Sequence, residues 1–145
     1  MPDNTVRDIM TTTVLVLNPR DTVVRAAALM RDEDIGALLV GENDRLVGML
    51  TDRDIVKRTT AQGLAPDAAS VGDAMSKGVL YCFDDDSCDA AAATMAANQI
   101  RRLPVVSRDK RLVGVVSLGD LANRGAPVPA AGALAEITRP ASAAA

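Results

Sequence analysis

The strongest constraint in this sequence is an internal repeat. The segment VRDIM, Val6 to Met10, returns 65 positions later as VGDAM, Val71 to Met75. At the same spacing Asp21-Thr22 answers to Asp86-Ser87, Met30 to Met95, Ile35 to Ile100 and Val40 to Val105. A single insertion then moves the spacing to 66, at which LVGMLTDRDI from Leu46 matches LVGVVSLGDL from Leu112. A match in one order through nearly the whole of both halves predicts two like units within the 145 residues.

Each copy reads as strand, helix, strand, strand, helix. In the first, Val14 to Leu17 is a short apolar run rich in β-branched residues and predicts a strand. Asn18-Pro19-Arg20-Asp21 breaks it, and Asp21 is the expected N-cap of a helix from Thr22 to about Asp32. Ala37 to Val40 and Leu46 to Leu50 are apolar runs joined by a hairpin-like turn at Gly41-Glu42-Asn43-Asp44. Their continuity suggests strands buried on both faces. A second helix follows Thr51 to about Thr59. The second copy gives strands at Val79 to Phe83, Leu103 to Val106 and Leu112 to Val116, with helices from Ser87 to Asn98 and after Ser117.

Composition excludes several kinds of chemistry. The chain has no histidine, which removes the commonest general base and the commonest zinc ligand. Aromatic residues are 1% of the chain, too few to stack single-stranded bases. The net charge of −3 and the lack of a basic run speak against a phosphate-backbone footprint, so no nucleic-acid partner is expected. Cys82 and Cys88 are expected as two reduced thiols. With no apolar signal or span, a cytoplasmic protein without membrane contact is expected. No metal site is expected: Asp84-Asp85-Asp86 reads as caps and dipole partners before a helix. The methionines at 30, 49, 75 and 95 read as core fillers.

The informative junction is Gly48-Met49-Leu50-Thr51-Asp52-Arg53-Asp54, repeated as Gly114-Val115-Val116-Ser117-Leu118-Gly119-Asp120. A hydroxyl ends a strand and a carboxylate follows three residues later, in the first helical turn. Helix N-terminal amides attract phosphate, a Thr or Ser hydroxyl adds a donor, and a carboxylate can accept both hydroxyls of a ribose. The same spacing also describes a capping box, and the two roles are compatible. Arg53 and Lys57 can reach a phosphate at this helix start or stand as solvated surface. Arg101 and Arg102 can neutralise phosphate or cover the sheet edge.

Two such units, each closing on Gly, two hydrophobic residues and [Ser/Thr]-x-x-Asp, resemble the CBS domain, named from cystathionine β-synthase. The strings Arg102-Leu103-Pro104-Val105-Val106 and Leu112-Val113-Gly114-Val115-Val116-Ser117 are typical of that family, and the likeness covers about Val6 to Asn123. The layout is similar to short bacterial proteins that hold nothing but a CBS pair. The resemblance implies an α/β (α+β) fold of two β-α-β-β-α units, related by pseudo-twofold symmetry and packed sheet to sheet. It places unit 1 at 6–60, a linker at 61–70, unit 2 at 71–124 and a low-complexity tail at 125–145. It also implies that AMP, ADP, ATP or S-adenosylmethionine binds as a regulatory ligand, with no cofactor required. One cleft would join Thr51, Arg53 and Asp54 to Leu80, Ile100, Arg101 and Arg102. The other would join Ser117 and Asp120 to Thr12, Val14, Ile35, Gly36 and Ala37.

No Ser/His/Asp or Cys/His set is present, so no enzyme is expected. The implied function is a ligand sensor acting in trans on an effector protein; the alternative is an interaction module with non-binding clefts. A homodimer is expected through the helix faces Val23, Ala26, Ala27, Met30 and Ala91, Ala92, Met95, Ala96, read as only partly covered. The Ala- and Pro-rich tail reads as flexible or partner-dependent and dispensable for folding, with at most a short helix over Ala130 to Ile137.

Overall fold

A computed structural model describes residues 4–125 and 127–138. In chain order the first elements are α1 (Val6–Ile9), β1 (Val16–Leu17), α2 (Val23–Glu33), β2 (Ala37–Glu42), β3 (Arg45–Thr51) and α3 (Asp52–Arg58). The repeat then gives α4 (Val71–Ala74), β4 (Cys82–Phe83), α5 (Cys88–Asn98), β5 (Arg102–Val106), β6 (Leu112–Ser117) and α6 (Leu118–Asp120). A π-helical turn over Leu121–Gly125 extends α6, and α7 (Pro127–Ile137) follows.

The chain forms two compact units that do not coincide with its two repeats. A continuous unit holds residues 15–79; a split unit holds the described residues up to Val14 together with those from Leu80 onward. Each contains a three-stranded sheet, β1-β2-β3 or β4-β5-β6, whose first pair is parallel and second antiparallel. The helix between the first two strands is the crossover that a parallel pair requires.

The units differ from their repeats because the leading helices are exchanged. Helix α1, from the first repeat, is hydrogen-bonded to the second: Val6 N donates to Asp86 O and Arg7 N to Asp84 O, both at 2.9 Å. The Arg7 guanidinium adds an ion pair to Asp84 at 2.9 Å. Helix α4, from the second repeat, is held by the first, with Val71 N donating to Asp21 O and Gly72 N to Pro19 O at 2.8 Å. Val6 and Ile9 accordingly belong to the split core with Cys88, Ala91, Met95, Leu103 and Val116. Val71 and Ala74 belong to the continuous core with Leu17, Val23, Met30, Leu38 and Leu50. Neither core contains an aromatic side chain.

Local chemistry sets the boundaries. Thr22, not Asp21, caps α2: its hydroxyl accepts from Arg25 N at 3.3 Å. Asp21 instead turns back to accept from Asn18 N at 2.9 Å and closes the preceding turn. Ser87 and Asp86 divide the work the same way, accepting from Ala90 N and Phe83 N. The β2–β3 hairpin turns on Asn43 and Asp44 alone, both left-handed at φ 54 and 63, so Gly41 and Glu42 remain in the strand. The single inserted residue falls in the matching β5–β6 turn, where Lys110 is left-handed and its N–H donates to Ser107 O. The stretch at 61–70 is tied down, since the first amides of α2, Val23 N and Val24 N, donate to Ala69 O and Pro66 O.

Two expectations are corrected here. The helix faces assigned to a dimer contact are largely used up inside their own units: Val23, Ala26, Met30, Ala91, Ala92 and Met95 are all buried. Each helix lies over its own sheet, and the exchanged helices add to the cover. The tail is not flexible throughout: α7 packs along α5, with Ala130 and Ala133 each 1% exposed in the split core and Ile137 against it. The small side chains that promised little burial are what let two helices approach this closely. Residues 139–145 lie outside the described residues.

Both cysteines are free and buried. Burial, with Asp86 and Asp84 nearby, pushes the Cys82 thiol up to about 12. Burial also raises Cys88, helped by Asp8 and Asp89. Stability from the protonated Cys82 is present below its ordinary 9.0 and is lost as the pH rises towards about 12. Neither thiol is expected to react with iodoacetamide at neutral pH until the protein is unfolded. Labelling of Cys82 in the native protein, read by mass spectrometry, would contradict this burial.

Candidate functional site

The two [Ser/Thr]-x-x-Asp motifs stand at corresponding places, where the last strand of each sheet passes into a helix. In the continuous unit Thr51 Oγ1 accepts from Asp54 N and Asp54 Oδ2 accepts from Thr51 N, both at 3.0 Å. In the split unit Ser117 Oγ accepts from Asp120 N at 3.0 Å and Asp120 Oδ2 accepts from Ser117 N at 2.9 Å. Both are complete capping boxes. All four residues are half-buried, so each box is anchored yet reachable. Each hydroxyl acts as acceptor in the box, which leaves its proton to be donated outward.

The glycine that opens each motif has a steric cause. A Cβ on Gly48 would lie 2.8 Å from Ser76 O and 2.7 Å from Met75 Sδ. A Cβ on Gly114 would lie 2.7 Å from Thr11 O and 2.8 Å from Met10 Sδ. The segment after each exchanged helix thus lies flat on the strand. Met49 and Ser76 exchange both backbone hydrogen bonds, as do Val115 and Thr11. An arginine fastens each segment from the end of the motif helix. Arg58 Nη1 donates to Met75 O at 2.7 Å and Ala74 O at 3.3 Å, and Arg124 Nη2 donates to Ile9 O.

The expected site residues divide between the units. The continuous unit holds Thr51, Arg53, Asp54, Ile35, Gly36 and Ala37; the split unit holds Ser117, Asp120, Thr12, Val14, Leu80, Ile100, Arg101 and Arg102. Within the first, Ala37 pairs with Thr51, and Asp52 N donates to Gly36 O at 2.9 Å. Within the second, Arg102 pairs with Ser117, and Leu118 N donates to Arg101 O at 2.8 Å. Sequence reading missed Ser76, whose hydroxyl donates to both Asp54 oxygens at 3.4 Å. It also missed Arg58 and Arg124, which a comparison of the repeats shows as one arginine at one position.

Both repeats match the model of the CBS domain, over residues 6–60 and 71–126. The chain belongs to the CBS domain family. It is 45% identical to the CBS domain-containing protein YhcV of Bacillus subtilis over 119 residues, 82% of this chain and 84% of that one. It is 43% identical to hypoxic response protein 1 of Mycobacterium tuberculosis, over 81% of this chain and 82% of that one. The crystal structure of hypoxic response protein I, with two coordinated zinc ions, aligns at TM-score 0.74 and 42% identity, covering 83% of this chain and 98% of that one. CBSX2 in complex with AMP aligns at TM-score 0.70 and 29% identity, covering 81% of this chain and 93% of CBSX2. The CBS pair of MJ0100, in complex with 5′-methylthioadenosine and S-adenosyl-L-methionine, aligns at TM-score 0.68 and 26% identity, covering 83% and 94%. The chain has no histidine, and no group of three or more Cys, Asp or Glu that could hold a metal stands together among the described residues.

Proposed function

We propose that this CBS pair is a non-enzymatic regulatory protein that binds an adenine nucleotide at its two [Ser/Thr]-x-x-Asp motifs and acts in trans on an effector protein. AMP, ADP, ATP and S-adenosylmethionine are the candidate ligands, and a cytoplasmic homodimer is the proposed form. The observation that carries this reading is the repetition of one arrangement. Each unit presents a hydroxyl able to donate and a carboxylate able to accept, beside the first amides of a helix. That set meets the donor and acceptor needs of a ribose and its phosphate. The AMP and S-adenosylmethionine complexes of CBSX2 and MJ0100 support the choice of ligand class. Among the described residues no helix is long and apolar enough to cross a membrane.

The two motifs carry different charge. Arg53, Lys57 and Lys77 of the continuous unit have Gly119, Asn123 and Thr12 as their counterparts. Charge-assisted bonds to phosphate are about twice as strong as neutral ones. The Thr51/Asp54 motif is therefore proposed to prefer ATP or ADP over AMP, with Asp52 opposing part of that preference.

The test is a thermal-shift and calorimetric titration with the four ligands. A ligand at 100 times its dissociation constant is expected to stabilise the chain by about 2.7 kcal/mol. Asp54→Ala and Asp120→Ala should each remove one site, the former taking the ATP preference with it. Loss of ATP binding in Asp120→Ala but not in Asp54→Ala would refute the assignment. No shift with any ligand would favour the second reading, an interaction module whose motifs are helix caps alone, as their complete internal bonding also allows.

A further inference from the structure

The Thr51/Asp54 motif is joined by a side chain from the other repeat. Ser76 follows α4, and its hydroxyl donates to Asp54 Oδ1 and Oδ2 at 3.4 Å each, a bifurcated and rather long contact. Asp54 Oδ2 also accepts from Thr51 N at 3.0 Å. A carboxylate has about four acceptor sites, so these contacts fix its plane and leave room for a diol.

Three separate constraints hold Ser76 in place. Its own backbone is paired in both directions with Met49, at 3.0 and 2.8 Å. The two carbonyls before it are held by Arg58. Gly48 permits the close approach, since any larger residue would meet Ser76 O. A half-buried hydroxyl on a backbone held this firmly has only its own side-chain rotation to lose when it orients its acceptor. Its counterpart 65 positions earlier is Thr11, the other residue type that carries a hydroxyl on Cβ.

We propose that Ser76 is a positioning residue of the Thr51/Asp54 site, contributed by the second repeat, whose hydroxyl sets the Asp54 carboxylate in the plane that receives the ligand. This rests on the nucleotide reading given above and adds a residue to it. Ligand uptake at Asp54 then becomes sensitive to the position of the segment that leads from α4 into β4.

The experiment uses the full chain carrying Asp120→Ala, so that titration reports the Thr51/Asp54 site. Adding Ser76→Ala should weaken ATP binding about three- to tenfold, as expected for losing one long charge-assisted bond. Adding Ser76→Thr should restore affinity to within about twofold, because the donor returns on the same Cβ. All three proteins should melt within a degree or two of one another. Unchanged binding in Ser76→Ala overturns the proposal, as does a Ser76→Thr variant no better than Ser76→Ala. If the parent binds no nucleotide, the functional reading fails, and Ser76 is judged on ligand-free protein instead. There, hydrogen exchange at the Thr51 amide should quicken in Ser76→Ala and recover in Ser76→Thr. An unchanged exchange rate would overturn the positioning role whatever the ligand.

Discussion

Gly48→Ala is expected to lower stability by about 2–3 kcal/mol, the cost of overpacking plus a lost backbone bond. The new methyl carbon would meet Met75 Sδ at 2.7 Å, which a flexible side chain can relieve. It would also meet Ser76 O at 2.8 Å, and that oxygen accepts from Met49 N. Relief there means moving backbone and breaking the bridge that seats the exchanged segment. Gly114→Ala should do the same in the split unit, against Thr11 O. At about 4–8 °C per kcal/mol for units of this size, the melting temperature should drop by more than 8 °C. Gly132, with nothing within 4 Å of its would-be Cβ, is the control. Its replacement by Ala should be neutral or stabilising, because Ala is the better helix former. If Gly48→Ala and Gly132→Ala behave alike in differential scanning calorimetry, the steric account of the motif glycine is wrong.

Ending the chain after Gly125 is the second large effect. It removes α7 and leaves the α5 side of the split core without Ala130, Ala133 and Ile137. The apolar surface returned to water includes the removed side chains and their former cover over α5. At about 25 cal/mol per Å², and about 0.8 kcal/mol per methylene, a loss of roughly 2–4 kcal/mol is expected. The bond from Gln99 Nε2 to Glu136 O goes too. Thermal melting should show the loss in the split unit, with hydrogen exchange in β1–β3 little changed. A truncated protein that melts like the parent would restore the expectation drawn from composition.

The repeat, the strand-helix-strand-strand-helix order and both [Ser/Thr]-x-x-Asp motifs were legible because each is written in contiguous residues. The apolar run Leu46 to Leu50 needs no partner to be recognised as a strand, and Thr51-x-x-Asp54 closes on itself. What was not legible depends on contacts across long stretches of chain. Helices α1 and α4 have four residues each, too few to show a helical period. Docking of α1 joins Arg7 to Asp84, and docking of α4 joins Val71 to Asp21. Ser76 was invisible for the same reason, since 22 residues separate it from Asp54. At Asp21-Thr22 both side chains are capable caps, and only backbone geometry decides between them. The tail misled because alanine is a weak apolar residue alone but an effective one between close-packed helices.

The exchange of α1 and α4 makes the order of synthesis and the order of completion different. The continuous unit has every residue it needs once Val79 has been made. Helix α1 is produced first, yet its partners Asp84 and Asp86, and the Val115 that pairs with Thr11 just after it, are made only in the second repeat. During elongation at about 5–20 residues per second, Val6 and Ile9 wait several seconds with their apolar sides uncovered. Neither repeat made alone would carry a finished core: the first would lack Val71 and Ala74, the second Val6 and Ile9. The chain is woven, and a cut between its repeats would leave two halves that each hold the other's missing piece.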